Sequence, residues 1–278
     1  MQVTWTPTQK QRLIELSAPL KLQSRAFSDT SERNTTFLSV VKKLIEKNKE
    51  NLHAVETLSH RPMICELENK LINALIEHSF VLVRTPIIIS KASLIKMSID
   101  DRQDLFKQVF WIDKNKCLRP MLAPNLYTLL QKLSRLWKKP IRIFETGPCF
   151  RKDSEGKYHM KEFTMLNLVE LGIPMQLRSE RLKEFADLIM GTVGISNYRL
   201  VQNKCNVYGD TIDVVAGELE VASGVSGPHT LDSNWGIRDP WVGIGFGIER
   251  LALVKGGYQN IGHVGRSLSY LEGIRLNM

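Results

Sequence analysis

The run Trp241-Val-Gly-Ile-Gly-Phe-Gly247 constrains this chain more than any other feature, because glycine recurs at every second position of an apolar segment. Period-two alternation marks a strand, and glycines at 243, 245 and 247 remove the side chains from one of its faces. A face stripped in this way either lets something flat or bulky lie against the backbone or packs beneath another element. The strand leads into Ile248-Glu-Arg-Leu251, a helix with Arg250 in its first turn. These glycines do not complete a GxGxxG fingerprint, and no GxxxxGK[ST] loop is present. A nucleotide would therefore have to be held by side chains on a sheet.

Elsewhere the chain reads as helices first and strands later. Phe37, Val40, Val41, Leu44 and Ile45 recur at the helical period within residues 31–50, with Lys42, Lys43, Lys47 and Lys49 among them. A second helix starts at Pro62, carries Ile64, Leu67, Leu71 and Leu75 on one face, and gives way to a strand over 80–86. Residues 107–113 and 117–121 flank Lys114-Asn115-Lys116 as a hairpin, and a helix begins near Pro124. Strands over 140–145 and 163–171 flank a polar loop at 152–161; a helix over 178–193 and strands over 207–215, 218–223 and 241–246 follow. Antiparallel-type strands with helices set apart predict an α+β fold, a sheet covered by helices.

With 43% hydrophobic and 24% charged residues the composition is that of a globular chain. Met1 is followed by neither a basic region nor a long apolar run, and no stretch is long enough to span a bilayer, so a soluble, cytoplasmic protein is expected. Cys65, Cys117, Cys149 and Cys205 lie far apart without a CxxC pair, which suits free thiols in a reducing compartment better than zinc. The net charge of +9 favours a polyanionic partner. Lys132, Arg135, Lys138, Lys139 and Arg142 have no acid between them, although a solvated helix end is the simpler reading of that run by itself.

Three segments carry candidate chemistry: Arg84-Thr85-Pro86; Phe144 to Asp153 followed by His159 and Glu162-Phe-Thr-Met-Leu-Asn167; and the glycine strand with Arg250. Arg151 stands just before the polar loop, where a guanidinium could grip a phosphate through two hydrogen bonds. Taken singly, each segment has a plain structural reading: a strand-end proline, a turn arginine, packing glycines. In this order and spacing they resemble motifs 1, 2 and 3 of class II aminoacyl-tRNA synthetases. That resemblance implies an antiparallel sheet flanked by helices, a homodimer formed through the first segment, and ATP bent over the sheet.

A pocket can be read on the same sheet. Alternation places Phe163, Met165, Asn167 and Val169 on one strand face, where an amide among apolar neighbours needs a partner, from nearby backbone or from a ligand. Ala123, Leu126, Tyr127 and Leu130 share one side of a helix, for which ordinary core packing is the default. The strings Leu118-Arg-Pro-Met-Leu-Ala-Pro-Asn-Leu-Tyr127, Glu162 to Asn167, Val207-Tyr-Gly-Asp-Thr-Ile-Asp213 and Pro240 to Gly247 are similar to those of the pyrrolysyl branch of the family.

This narrower resemblance implies that Ala123, Leu126, Tyr127, Leu130, Val169, Val225, Trp241 and Gly243 wall a deep apolar pocket for pyrrolysine or a related lysine derivative. Asn167 would bond the side-chain amide carbonyl, and Tyr208 would be a lid reaching the pyrroline nitrogen. Lysine itself would be excluded by a pocket with no acid for its ammonium. The resemblance puts Arg151 on the α-phosphate of ATP, Arg250 and Phe163 on the faces of adenine, and His159 on the terminal phosphates. Asp153, Met160, Val221 and Ser223 complete the ATP site, and Glu220 with Ser223 holds Mg²⁺. Arg151, Glu220 and Arg250 form the catalytic set. Asp153 departs from the family, which usually has glutamate there.

Residues 1–58 are expected to be an N-terminal helical segment contacting tRNA, and 59–278 the catalytic core. The chain resembles a stand-alone catalytic form without the RNA-binding N-terminal domain of longer members, whether as the catalytic half of a split enzyme, with a separate N-terminal tRNA-binding protein as partner, or as a naturally short enzyme. Two rivals are a class II-like ligase for another amino acid, disfavoured by Asn167 and Tyr208, and a non-catalytic tRNA-binding relative, disfavoured by Arg151, Glu220 and Arg250.

Overall fold

A computed structural model of the chain describes residues 3–57, 61–152, 156–205 and 207–278. A seven-stranded sheet runs through it, built from β1 (Val81–Leu82), β2 (Ile141–Phe150), β3 (Glu162–Leu171), β4 (Arg199–Cys205), β5 (Gly209–Ala216), β6 (Leu219–Gly227) and β7 (Trp241–Gly247). The strands lie in the order β1-β2-β3-β7-β6-β5-β4, antiparallel throughout except for the parallel pair β1–β2. The α+β architecture expected from the sequence is the one observed.

Five of the helices matter for the site and its support: α1 (Thr30–Thr57), α2 (Met63–Glu77), α3 (Ala123–Leu133), α4 (Arg178–Val193) and α5 (Ile248–Gly256). Helices α2, α4 and α5 cover one face of the sheet. Leu67, Leu71 and Leu75 from α2, Phe185 and Ile189 from α4, and Leu251 from α5 join Phe144, Leu166, Leu168, Val242, Ile244 and Phe246 in one buried cluster. Each such side chain contributes roughly 1.5–3 kcal/mol on full burial, so this face holds the sheet in place. On the other face, α3 brings Leu126, Tyr127 and Leu130 against Ile141, Ile143, Val169 and Leu171.

The N-terminal segment has a small core of its own. Helix Pro7–Glu15 starts with a reciprocal cap between Thr6 and Gln9 and with proline in its first turn. Trp5, Leu13, Ala18 and Phe27 receive Phe37, Val40, Val41 and Leu44 from α1, while Lys42, Lys43, Lys47 and Lys49 are exposed. The division expected at 58/59 falls outside the described residues.

Local departures from the sequence reading have identifiable causes. The strand over 80–86 shrinks to β1 because Arg84 and Thr85 turn their polar groups to β2. Arg84 Nη1 donates to Thr146 O at 2.6 Å, and Thr85 donates through N–H and hydroxyl to Glu145 at 3.0 and 2.7 Å. The 107–113/117–121 hairpin forms only at its turn end. Asp104–Lys107 is a helical turn, while at the turn end Trp111 bridges Cys117, with Leu118 N–H donating to Phe110 O and Ile112 N–H to Lys116 O at 2.9 Å each; Lys116–Leu118 pairs along its other edge with Ile88–Ser90. Strand β4 was not anticipated because its residues are almost all exposed at the sheet edge and lack an apolar alternation.

Among the described residues, no helix is long and apolar enough to cross a membrane. All four cysteines are free, and burial pushes the thiols of Cys117 and Cys149 up to about 11 and about 12. In the basic run, Lys139 pairs with Asp239 at 2.6 Å and Arg142 with Glu170 at 3.2 Å, while Lys132, Arg135 and Lys138 are exposed.

Candidate active site

The bare face of β7 opens into a cavity of about 560 Å³. Gly243, Gly245 and Gly247 form its floor, flanked by Phe163, Met165, Asn167 and Val169 on β3 and by Glu220, Ser223 and Val225 on β6. The strand registers order it along its length, since Val169 pairs with Gly243, Asn167 with Gly245 and Met165 with Gly247. One end is apolar, where Ala123, Leu126, Tyr127 and Leu130 of α3 meet Val169 and Trp241. The other end is charged.

Asn167 stands between the two ends. A Cβ on Gly245 would lie 2.9 Å from Asn167 Oδ1 and 3.1 Å from Nδ2, so the glycine makes room for this amide. Asn167 Oδ1 is buried with no hydrogen-bond partner among the described residues. An orphaned carbonyl of this kind costs about 1–3 kcal/mol, a cost that a ligand donor would remove.

At the charged end, Arg151 follows β2. Its N–H donates to Lys161 O at 2.9 Å, closing the polar loop, and its Nε donates to Pro120 O at 2.9 Å. Its guanidinium lies 5.3 Å from the Phe163 ring centroid, so in this structure it is Arg151 that meets the Phe163 face. Arg250 arrives from the first turn of α5. Its Nη1 donates to Glu220 O at 2.9 Å and lies 3.6 Å from Glu220 Oε1, and its Nη2 is 3.5 Å from His159 Nε2. Burial raises the Glu220 carboxyl above the usual range, opposed by Arg250 and Arg151. Met160 and Val221 also line the cavity. Asp153 lies outside the described residues.

A β-bulge brings Glu220 and Ser223 together. Residues three apart on a regular strand point to opposite faces. The pairing of β6 with β5 shifts register between Glu220 and Ala222, which puts both Val221 and Ala222 into the helix-side core at 1% and 2% exposure. Glu220 and Ser223 are thereby both left on the cavity side, two hard oxygen donors at the end that also holds Arg151, His159 and Arg250. That set fits Mg²⁺, which keeps waters and takes phosphate oxygens.

Two buried acids that the sequence reading missed brace the site. Glu249 accepts the Thr164 N–H at 2.8 and 2.9 Å, with Arg266 3.6 Å away, and so pins the start of α5 to β3. Asp232 accepts from Tyr127 and Trp241 behind the apolar end. The expectation of no acid there needs amending: the acid exists, but it lies behind the wall with both oxygens already engaged. Neither residue sits in a pattern that marks it, because what matters is a partner distant in sequence.

Residues 50–272 match the family model for the class II core domain of tRNA synthetases, type F. The crystal structure of pyrrolysyl-tRNA synthetase from Desulfitobacterium hafniense is 51% identical, with a TM-score of 0.92 and 99% of either chain covered. A second structure of that synthetase gives 50% identity and a TM-score of 0.90, covering 99% of this chain and 96% of the other. Curated relatives are more distant. The O-phosphoserine–tRNA(Cys) ligase of Methanococcus vannielii is 25% identical over 168 residues, 56% of this chain and 31% of the relative. The histidine–tRNA ligase of Desulfotalea psychrophila is 27% identical over 129 residues, 45% and 30% respectively, so the chain spans less than a third of these curated relatives. The chain belongs to the class II aminoacyl-tRNA synthetases and, within that class, to the pyrrolysyl-tRNA synthetase family.

Proposed function

We propose that the chain is a pyrrolysine–tRNA ligase, which activates pyrrolysine with ATP and passes it to its tRNA. The observation that carries this reading is Asn167, an amide with a buried, unpartnered oxygen between a charged end and an apolar end of one cavity. Pyrrolysine has matching chemistry, with a carboxylate at one end, an apolar ring at the other and an amide between them. Its amide offers both an N–H and a carbonyl to the two ends of the Asn167 side chain.

In the first step the amino-acid carboxylate attacks the α-phosphorus of ATP in line and pyrophosphate leaves. Two anions must approach, so Arg151 on the α-phosphate and Arg250 near adenine and the terminal phosphates act by charge and position. Phe163 and Arg250 enclose adenine, His159 meets the terminal phosphates, and Met160 and Val221 complete the nucleotide's surroundings. Glu220 and Ser223 hold Mg²⁺, which when bound neutralises phosphate charge. In the second step the acyl group moves to the terminal ribose hydroxyl of tRNA.

The ring of the substrate lies among Leu126, Tyr127, Leu130, Val169 and Trp241, with Ala123, Val225 and Gly243 leaving room for the chain. Tyr208, beside the turn between β4 and β5, acts as the lid. Burial raises its phenol well above the usual range, so it stays protonated and donates to the ring nitrogen. Lysine would bring a desolvated ammonium to an apolar end behind which the Asp232 carboxylate is already engaged by Tyr127, Trp241 and His229.

The protein works in the cytoplasm as a homodimer. Supporting the dimer, the edge strand β1 and its surroundings expose Ile76, Val81, Ile87 and Ile88. Sedimentation at micromolar concentration tests it, and a monomer alone contradicts it. Residues 1–58 contact tRNA through the exposed lysines of α1. ATP–pyrophosphate exchange with pyrrolysine, lysine and phenylalanine tests the central reading. Exchange with pyrrolysine alone is expected; exchange only with another amino acid, or with none, overturns it.

A further inference from the structure

Asp232 opens the short turn Asp232–Trp235 and is only 3% exposed. Its Oδ1 accepts from the Tyr127 hydroxyl at 2.9 Å; its Oδ2 accepts from Trp241 Nε1 at 2.8 Å and from the His229 backbone N–H at 2.6 Å. Two of these donors are walls of the apolar end. Tyr127 and Trp241 meet edge to face at 5.7 Å between centroids, and Trp235, from the same turn as Asp232, stacks on Tyr127 at 5.4 Å. The indole crosses β6 where there is no Cβ to stop it, since one on Gly227 would stand 1.9 Å from Trp241 Nε1.

The third donor leads to the lid. The His229 Nε2–H donates to the Tyr208 carbonyl, and Nδ1 accepts the Leu231 N–H at 3.2 Å, so the ring is held from both nitrogens. Tyr208 and His229 also meet edge to face at 5.6 Å.

We infer that Asp232 is a positioning residue for amino-acid selection: one buried carboxylate behind the cavity fixes both aromatic walls and, through His229, the backbone of the lid. The inference rests on the reading of this cavity as the amino-acid site. Its physical basis is that Tyr127 and Trp241 are donors in apolar surroundings. Without Asp232 each would be an orphan, and each would turn toward the polar part of the cavity to find a partner. That movement shortens the apolar end and leaves the ATP end, on Arg151 and Arg250, as it was.

The test is ATP–pyrophosphate exchange, with KM for pyrrolysine and for ATP measured separately in wild type, Asp232→Ala, Asp232→Asn and Asp232→Glu. Asp232→Ala should raise the amino-acid KM about tenfold or more, the size expected for orphaned buried donors, with the ATP KM within about twofold of wild type. Asp232→Asn should recover most of the loss. Its oxygen still accepts from Trp241 and His229, and its amide donates to the Tyr127 oxygen. A residue needed only for folding would move both KM values or neither.

If Asp232→Ala does not fold, Asp232→Glu decides, since it keeps the carboxylate and displaces it by one methylene from Tyr127, Trp241 and His229. A raised amino-acid KM with the ATP KM unmoved upholds the inference, and both unmoved or both raised overturn it. Wild type inactive with pyrrolysine contradicts the functional reading beneath it. Active wild type with an unmoved amino-acid KM in Asp232→Ala contradicts the role of Asp232 alone.

Discussion

The two faces of β7 use the same seven residues for opposite purposes. On the helix side Val242, Ile244 and Phe246 are at most 2% exposed and packed among α2, α4 and α5. On the other side Gly243, Gly245 and Gly247 leave backbone as the floor of a cavity. One face is filled until nothing more fits, and the other is emptied so that a ligand can. A single strand can do both because its alternation separates the two sets of demands, and the apolar burial on one side offsets what the other side forgoes.

The comparison can be tested from either face. The largest effect is expected on the packed side, where Phe246→Ala removes a ring from a closed core. It should cost about 3–5 kcal/mol of stability in denaturant titration, while any protein still folded keeps its KM values. On the open side, Arg151→Ala should slow adenylate formation by about 10²–10³-fold, typical for loss of one charge-stabilising donor, with the melting temperature little changed. Near-normal pyrophosphate exchange would contradict its placement on ATP.

Smaller changes sharpen the picture of the cavity. Asn167→Ala should weaken pyrrolysine by about 1–3 kcal/mol and admit bulky aromatic amino acids, since it removes the polar anchor and leaves space for a ring. An aminoacylation panel reads both effects, and unchanged charging of pyrrolysine would make Asn167 a packing residue. Tyr208→Phe should be the mildest, about 0.5–1.5 kcal/mol for one hydrogen bond, and should leave ligands without a ring nitrogen unaffected.

Much of this was legible because it is written in periodicity. Alternation on β3 announced that Phe163, Met165, Asn167 and Val169 share a face, and the 3.6-residue period of Ala123 to Leu130 announced the helix above them. All the candidate pocket and nucleotide residues within the described part of the chain line one cavity. What stayed hidden depends on contacts distant in sequence. The bulge at Glu220–Ala222 appears only once β6 pairs with β5. Asp232 reaches the apolar end partly through Tyr127, 105 residues earlier, which donates to it. Strand β4 carries no apolar alternation, being an exposed edge, and Lys107–Asp113 satisfied a hairpin pattern of which the Trp111–Cys117 bridge forms, the start of the segment belonging to the helical turn Asp104–Lys107.

The contrast between the two faces of β7 is tested most directly by Gly245→Ala and Ile244→Ala, neighbours pointing opposite ways, measured together for melting temperature and amino-acid KM. The added Cβ at 245 meets the far end of the Asn167 side chain, which can swing aside, so stability should hold within about 1 kcal/mol while the amino-acid KM rises about tenfold. Ile244→Ala should do the reverse, losing about 2–5 kcal/mol of stability with the KM of the folded fraction unchanged. If Gly245→Ala instead melts as early as Ile244→Ala and binds its amino acid normally, the glycines serve packing, and β7 has no ligand face.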